Sequence, residues 1–314
     1  MPEVKIENAD CRTLMASLPD RHVHAIVTDP PYGISVAGAD WDRTLPDRDI
    51  WDQCLRVLKP GGFAALCGHS TTFHRLACLL EAVGFEVRDF LFWVGTANAA
   101  TTSIRLRNTY EPVILVRRPT EGLSAAAAQQ VHGTGLRPRS EEVAIRNGFR
   151  PLVERLDHRV TAQVYGNQRV KAEIGITNSG RQAANMALDE AYAAEIERTV
   201  GAGSTRTLFV GKATPAERAQ AGGHPTVKPL SLMRHIIGLM TPPGGLVLDP
   251  FCGSGSTAVA CVQMGRDFIG CDRDPGYAEA ARRRVADEIE NPTFTPSDLT
   301  TVTHLHARQQ TLDL

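Results

Sequence analysis

Apolar positions follow two rhythms along the first third of the chain. Short runs such as "HAIVTD" and "FAALCG" are almost wholly apolar, and they alternate with stretches where apolar residues return every three or four positions. In "DIWDQCLRVLKPGG", Ile50, Cys54, Leu55, Val57 and Leu58 predict an amphipathic helix stopped by Pro60-Gly61-Gly62. "CRTLMASLP" predicts a short helix closed by Pro19. "STTFHRLACLLEAVGF" predicts another, with Ser70 as N-cap and Gly84 just past its end. Strands are expected in "VKIENAD", "HAIVTD", "FAALCG", "EVRDFLFWVG" and "EPVILVRR". Strands alternating with helices predict an α/β sheet with helices on both faces.

From about Thr120 to Gly223 the rhythm breaks. The segment is rich in Ala, Arg and Gln, with helical patterns near "PLVERLDHRVTAQVYG" and "QAANMALDEAYAAEIERTV" and a strand signal in "TRTLFVG". It reads as a mostly helical module inserted between two halves of one fold. After "GGHPTVKPL" the alternation returns: helix "SLMRHIIGLM", strand "GGLVLDP", the Gly-rich turn and helix "FCGSGSTAVACVQMG", strand "DFIGCDRD", and helix "PGYAEAARRRVADEIE" with Pro275 in its first turn. The expected division is 1–120, an insert at 121–221, 222–290, and a loosely held polar tail at 291–314.

Composition narrows the class. The 314 residues carry a formal net charge of −1, so a chain-wide basic footprint for nucleic acid is absent and only a local patch remains open. No apolar run approaches a membrane span and the N-terminus lacks a signal-peptide core, which predicts a cytoplasmic protein without membrane contact. The seven cysteines form no C-x-x-C pair, so no metal site is expected.

Two stretches carry the chemistry. In "VLDPFCGSGSTAVA", Gly253 and Gly255 follow an apolar strand at the mouth of a helix, and Asp272 ends the next strand. Small residues let a ligand approach the backbone, and the downstream acid suits ribose hydroxyls. This predicts a nucleoside-cofactor site without naming the cofactor. In "AIVTDPPYGIS", two prolines end a strand and hold a carboxylate and an aromatic ring at its tip. Asp29 and the Pro30 carbonyl can accept hydrogen bonds from an amine, and Tyr32 offers a ring for stacking a base. Two acceptors aimed at an exocyclic amine favour the positive charge that develops when its nitrogen attacks a methyl group. The base must leave the duplex to reach such a pocket.

"TDPPYGI", a distinct middle, then "HPTVKP" and "DPFCGSGST" reproduce the motif order of a family. The chain resembles S-adenosylmethionine-dependent amino DNA methyltransferases of the permuted (β) arrangement, the N-4/N-6 DNA methylase family, over roughly the first 120 residues and again from about 205 to 285. The resemblance implies a Rossmann-like methyltransferase sheet in circularly permuted order with an inserted target-recognition module. It implies a catalytic role for Asp29, Pro30, Pro31 and Tyr32. It implies S-adenosyl-L-methionine contacts from Asp10 and Cys11 near adenine, and from Thr226, Lys228 and Pro229 near the methionine end. It implies further contacts from Asp249 and Pro250 near the amino group, from Phe251, Cys252, Gly253, Ser254, Gly255, Ser256 and Thr257 in the loop, and from Asp272 and Arg273 at the ribose. Asp10 could instead only cap the helix after it, and Lys228 could be a solvated charge. Trp41-Asp42 allows a pocket, loop or packing role, and His224 reads as a loop residue.

The family uses Asp-Pro-Pro-Tyr mainly for adenine N6 and Ser-Pro-Pro-Tyr mainly for cytosine N4, which favours adenine. The expected partner is double-stranded DNA, with Arg137, Arg139, Arg146, Arg150, Arg155, Arg159, Arg169, Lys171 and Arg181 of the insert available for phosphate and guanine. A homodimer is a family habit. "QQTLDL" resembles peptides that dock on a bacterial sliding clamp. A nicotinamide oxidoreductase would also use the glycines and Asp272, but it leaves "TDPPYG" without a role.

Overall fold

The computed structural model describes residues 1–94, 110–136, 186–188, 208–209 and 212–294. Among these, the strands are β1 (Val4–Asn8), β2 (Val23–Thr28), β3 (Leu58–Cys67), β4 (Glu86–Val94), β5 (Tyr110–Arg117), β6 (Met186–Leu188), β7 (Leu208–Phe209), β8 (Leu246–Asp249) and β9 (Asp267–Asp272). They form one sheet in the order β1-β9-β8-β2-β3-β5-β4-β6-β7. Pairing is parallel from β1 to β3, antiparallel on both sides of β5, and parallel again at β6 and β7.

The helices are α1 (Cys11–Ser17), α2 (Arg48–Val57), α3 (Phe73–Val83), α4 (Ala125–His132), α5 (Pro215–Ala219), α6 (Leu230–Met240), α7 (Ser256–Met264) and α8 (Pro275–Glu290). One face of the sheet packs on α6, α7 and α8 through Met233, Ile237, Val259 and Ala281. The other packs on α1, α2 and α3 through Leu14, Trp51, Leu76 and Leu80. Alternate residues of β3 serve opposite faces: Phe63, Ala65 and Cys67 one way, Ala64 and Leu66 the other. Burial on both faces is why these strands read as continuous apolar runs rather than alternating ones.

The permuted order is visible in the sheet. β1 opens the chain yet lies beside β9, with Val4 paired to Phe268 and Asn8 to Asp272. The strand order turns between β8 and β2, which are parallel neighbours. A crevice is expected at the carboxyl ends of strands at such a turning point.

Several local expectations need correction. α2 ends at Val57, so Leu58, expected on the helix, and Pro60-Gly61-Gly62, expected as its stop, belong to β3. The register of β3 against β2 slips between Val23 and Ala25, so Pro60-Gly61-Gly62 form an irregularity inside the strand. A proline is tolerated at such a point because no ladder bond is asked of it. Thr72, not Ser70, precedes α3, while Gly84 ends it at φ +114° as expected. Met186–Leu188, inside an expected helix, pairs with Phe92–Val94 as β6, because a free strand edge outweighs local helix preference. Ala125–His132 forms α4, capped by Ser124, and Thr134 Oγ1 donates to the Pro60 carbonyl at 2.7 Å. The helical pattern at 151–166, the basic residues of the insert and the "QQTLDL" tail lie outside the described residues. No described helix is long and apolar enough to cross a membrane.

Candidate active site

Four adjacent parallel strands each deliver an aspartate at the carboxyl end. In spatial order they are Asp10 after β1, Asp272 at the end of β9, Asp249 at the end of β8 and Asp29 after β2. A cavity of about 580 Å³ runs along this row. All of the sequence-predicted site residues line it except Pro229 and Gly255. Pro229 is the N-cap of α6. Gly255 faces α8, where an added Cβ would lie 2.7 Å from the Ala281 Cβ, so its role is close packing of the loop on the helix.

At one end Asp10 caps α1, its Oδ1 accepting from Arg12 N at 2.8 Å. It therefore caps the helix and lines the cavity at once. Arg12 closes this end by pairing with Asp47 and Asp49. Next along the row, Asp272 accepts from Gly253 N at 2.9 Å through Oδ2 and from Asp274 N at 2.9 Å through Oδ1. Gly253 sits at φ +51°, and a Cβ there would meet His224 Nε2 at 3.0 Å. The glycine thus leaves room for the imidazole, which stacks edge-on against Tyr277 with ring centres 4.5 Å apart and lies 6.3 Å from Trp41. His224 and Trp41 are wall residues of the cavity. Burial pushes the His224 pKa down, which keeps the ring neutral.

Asp249 is 2% exposed and fully engaged. It accepts from Thr28 Oγ1 at 2.6 Å, Phe251 N at 3.1 Å and Thr257 Oγ1 at 2.7 Å. The carboxylate thus ties the end of β2 to the Gly-rich loop. Burial pushes its pKa up to about 6, against those three donors. Between the unfolded and folded values the native state keeps a proton that the unfolded chain has lost, so this residue's contribution to stability falls as pH rises through that window. An Asp249→Asn variant should gain stability relative to wild type between about pH 4 and about pH 7, read from urea unfolding at each pH. A gap that is constant, or moves the other way, would remove this assignment.

At the far end Tyr32 donates its hydroxyl to Asp29 Oδ1. Lys228 Nζ donates to Asp29 Oδ2 at 2.7 Å and lies 5.3 Å from the centre of the Tyr32 ring. Lys228 is 7% exposed, which rules out the solvated-charge alternative. Its ammonium rests on Asp29 and, at 3.5 Å, on Glu111. Burial and the Asp29 charge push the Tyr32 pKa well above the usual phenol value, so the hydroxyl remains a donor.

Two residues of this end were not singled out for these roles from sequence. Asp42, fully buried, accepts from the backbone N–H groups of Tyr32, Gly33 (3.2 Å) and Val36 (2.8 Å). It fixes the turn that follows Asp29, including Ser35 at φ +56°. The only signal was its place in "GADWDRT". Glu111 gave no signal beyond its position early in a strand. Among the described residues no His, Cys, Asp or Glu cluster could hold a metal.

A family profile described as DNA methylase, of the N6/N4 type, matches residues 23–283. The type II methyltransferase M2.DpnII of Streptococcus pneumoniae is 25% identical over 306 residues, covering 91% of this chain and 90% of its own length. Among solved structures, the M1.HpyAVI complex with SAM is similar with a TM-score of 0.53 at 20% identity, covering 90% of this chain and 98% of that one. The PvuII DNA methyltransferase, described as cytosine-N4-specific, has a TM-score of 0.54 at 15% identity, covering 96% and 93%. At these identities the two structures speak to the fold.

Proposed function

The chain belongs to the DNA methylase family of the N6/N4 type, and from that premise we propose that it methylates the N6 amino group of adenine in a specific double-stranded DNA sequence. Its cofactor is S-adenosylmethionine. The residues present fit that molecule. A cavity of about 580 Å³ is of ligand size, acids stand along its length, and the Gly-rich loop forms part of its wall. Asp10 and Cys11 would hold the adenine side, Asp272 and Arg273 the ribose, and the loop from Asp249 to Thr257 with Thr226 the methionine side. Bound there, the cofactor supplies a methyl group already activated on a sulfonium.

The observation that carries the reading is the acceptor end of the cavity. An exocyclic amine is a poor nucleophile because its lone pair is delocalised into the ring. Asp29 and the Pro30 carbonyl would accept its two N–H bonds and favour the positive charge that grows on nitrogen. Each carboxylate oxygen has a second lone pair, so Asp29 can take an amine N–H while Tyr32 and Lys228 stay bound. The rigid Pro30-Pro31 pair and the Asp42 anchor keep these acceptors in place.

Asp rather than Ser at position 29 favours adenine, although the same acceptors would serve the cytosine N4 amine. The insert at 121–221 would read the sequence; a homodimer and a clamp-docking tail complete the reading. Incubation with labelled S-adenosylmethionine and unmethylated genomic DNA, followed by digestion to nucleosides, should yield labelled N6-methyladenosine in its deoxy form. Label in N4-methyldeoxycytidine instead would replace the adenine assignment, and no label in DNA would remove the reading.

A further inference from the structure

The row of acids does not stop at Asp29. β5 runs antiparallel to β3, with Val113 opposite Cys67, so its beginning lies at the carboxyl end of the parallel strands. Glu111, near that beginning, therefore continues the row as its last member, although the cavity wall does not include it. It stands behind Lys228, whose ammonium lies between Glu111 Oε2 at 3.5 Å and Asp29 Oδ2 at 2.7 Å.

The charges decide what this arrangement does. Asp29 and Lys228 alone make a closed pair with no net charge, and the lysine would oppose a positive nitrogen arriving at Asp29. With Glu111 the group carries a net charge of minus one, which matches the one positive charge that the target nitrogen acquires. The two carboxylates also share the ammonium, so Lys228 is not committed to Asp29 alone. Burial lowers the Lys228 pKa, but the nearby Asp29 and Glu111 charges outweigh it and raise it well above its usual value, so the lysine stays protonated.

We propose that Glu111 is a positioning residue for methyl transfer, drawing the Lys228 charge away from Asp29 so that the Asp29 carboxylate can bind and stabilise the target amine. It acts through Lys228 and touches neither base nor cofactor. The inference rests on the reading of Asp29 as the amine acceptor.

The test is single-turnover methyl transfer, with enzyme in excess over unmethylated genomic DNA and tritiated S-adenosylmethionine. Glu111→Gln keeps the shape and removes the charge. It should slow transfer about ten- to a hundredfold, toward the lower range seen when an electrostatic partner of a transition state is removed. The S-adenosylmethionine Kd should stay within about twofold, which also reports an intact fold. Glu111→Asp should recover part of the rate. In a Lys228→Met background the Glu111→Gln change should cost less than about twofold, because the residue it acts through is gone. A wild-type rate in Glu111→Gln overturns the inference, as does an equal loss with and without Lys228. If Lys228→Met does not bind cofactor, the comparison of Gln with Asp at 111 decides alone. Asp29→Asn run in parallel separates the two levels: full activity there removes the acceptor reading itself, whereas an inactive Asp29→Asn beside a wild-type Glu111→Gln removes only the role of Glu111.

Discussion

Asp29→Asn should lower methyl transfer to DNA by about a thousandfold or more while leaving S-adenosylmethionine affinity nearly unchanged. The side chain keeps its size, so Tyr32 can still donate to the amide oxygen. What is lost is the charge that faces the attacking nitrogen. The amide NH₂ also points a donor where an acceptor is needed, toward Lys228 and toward the incoming amine. Asp29 lies at the end of the cavity opposite Asp10 and Asp272, which explains why cofactor binding is spared. Isothermal titration with cofactor and a filter assay for tritium in DNA give the two readouts. Retained activity would take Asp29 out of the mechanism, and lost cofactor affinity would mean that it holds the cofactor.

Asp42→Ala should fail in a different way, losing stability and activity together. The carboxylate is fully buried and satisfies three backbone N–H groups of the turn after Asp29. Removing it leaves those half-buried donors without their acceptor, at a cost of about 3–5 kcal/mol. In a chain of this size that corresponds to a drop in Tm of about 5–8 °C. Ser35, at φ +56°, would relax toward ordinary backbone angles once its neighbour Val36 loses the carboxylate and the turn is free to move. Asp42→Asn keeps one acceptor and should fall between the two, which guards against an alanine variant that does not fold. Thermal melts and the tritium assay measure both properties. Wild-type melting with either variant would show that the turn holds without the carboxylate.

The sequence was informative where the physics is local. Apolar runs in β2, β3, β8 and β9 marked strands buried on both faces, and the glycines after β8 marked a loop that packs close. The prolines after Asp29 marked a strand end. Boundaries were harder. Pro60 to Gly62 read as a helix stop because Pro and Gly break helices, yet the sheet absorbs them as an irregular stretch of β3. Met186–Leu188 read as helix because its neighbours favour helix, but the edge of β4 offers backbone partners that no local pattern reveals. Lys228 left two alternatives open, since nothing in "HPTVKP" says whether the ammonium meets water or a carboxylate.

By itself the sequence determined which residue types end the strands: Asp10, Asp29, Asp249 and Asp272, each where a strand pattern stops, and hence a fold with chemistry at strand ends. The tertiary structure alone decided their spatial order and their company. It set Asp29 beside Asp249 because β2 and β8 are neighbours, and it brought Glu111 to the same edge because β5 runs backwards. It also turned Asp42 inward as the anchor of a turn. Strand direction and adjacency arise from packing across the whole sheet, and that information is not carried by any short stretch of chain.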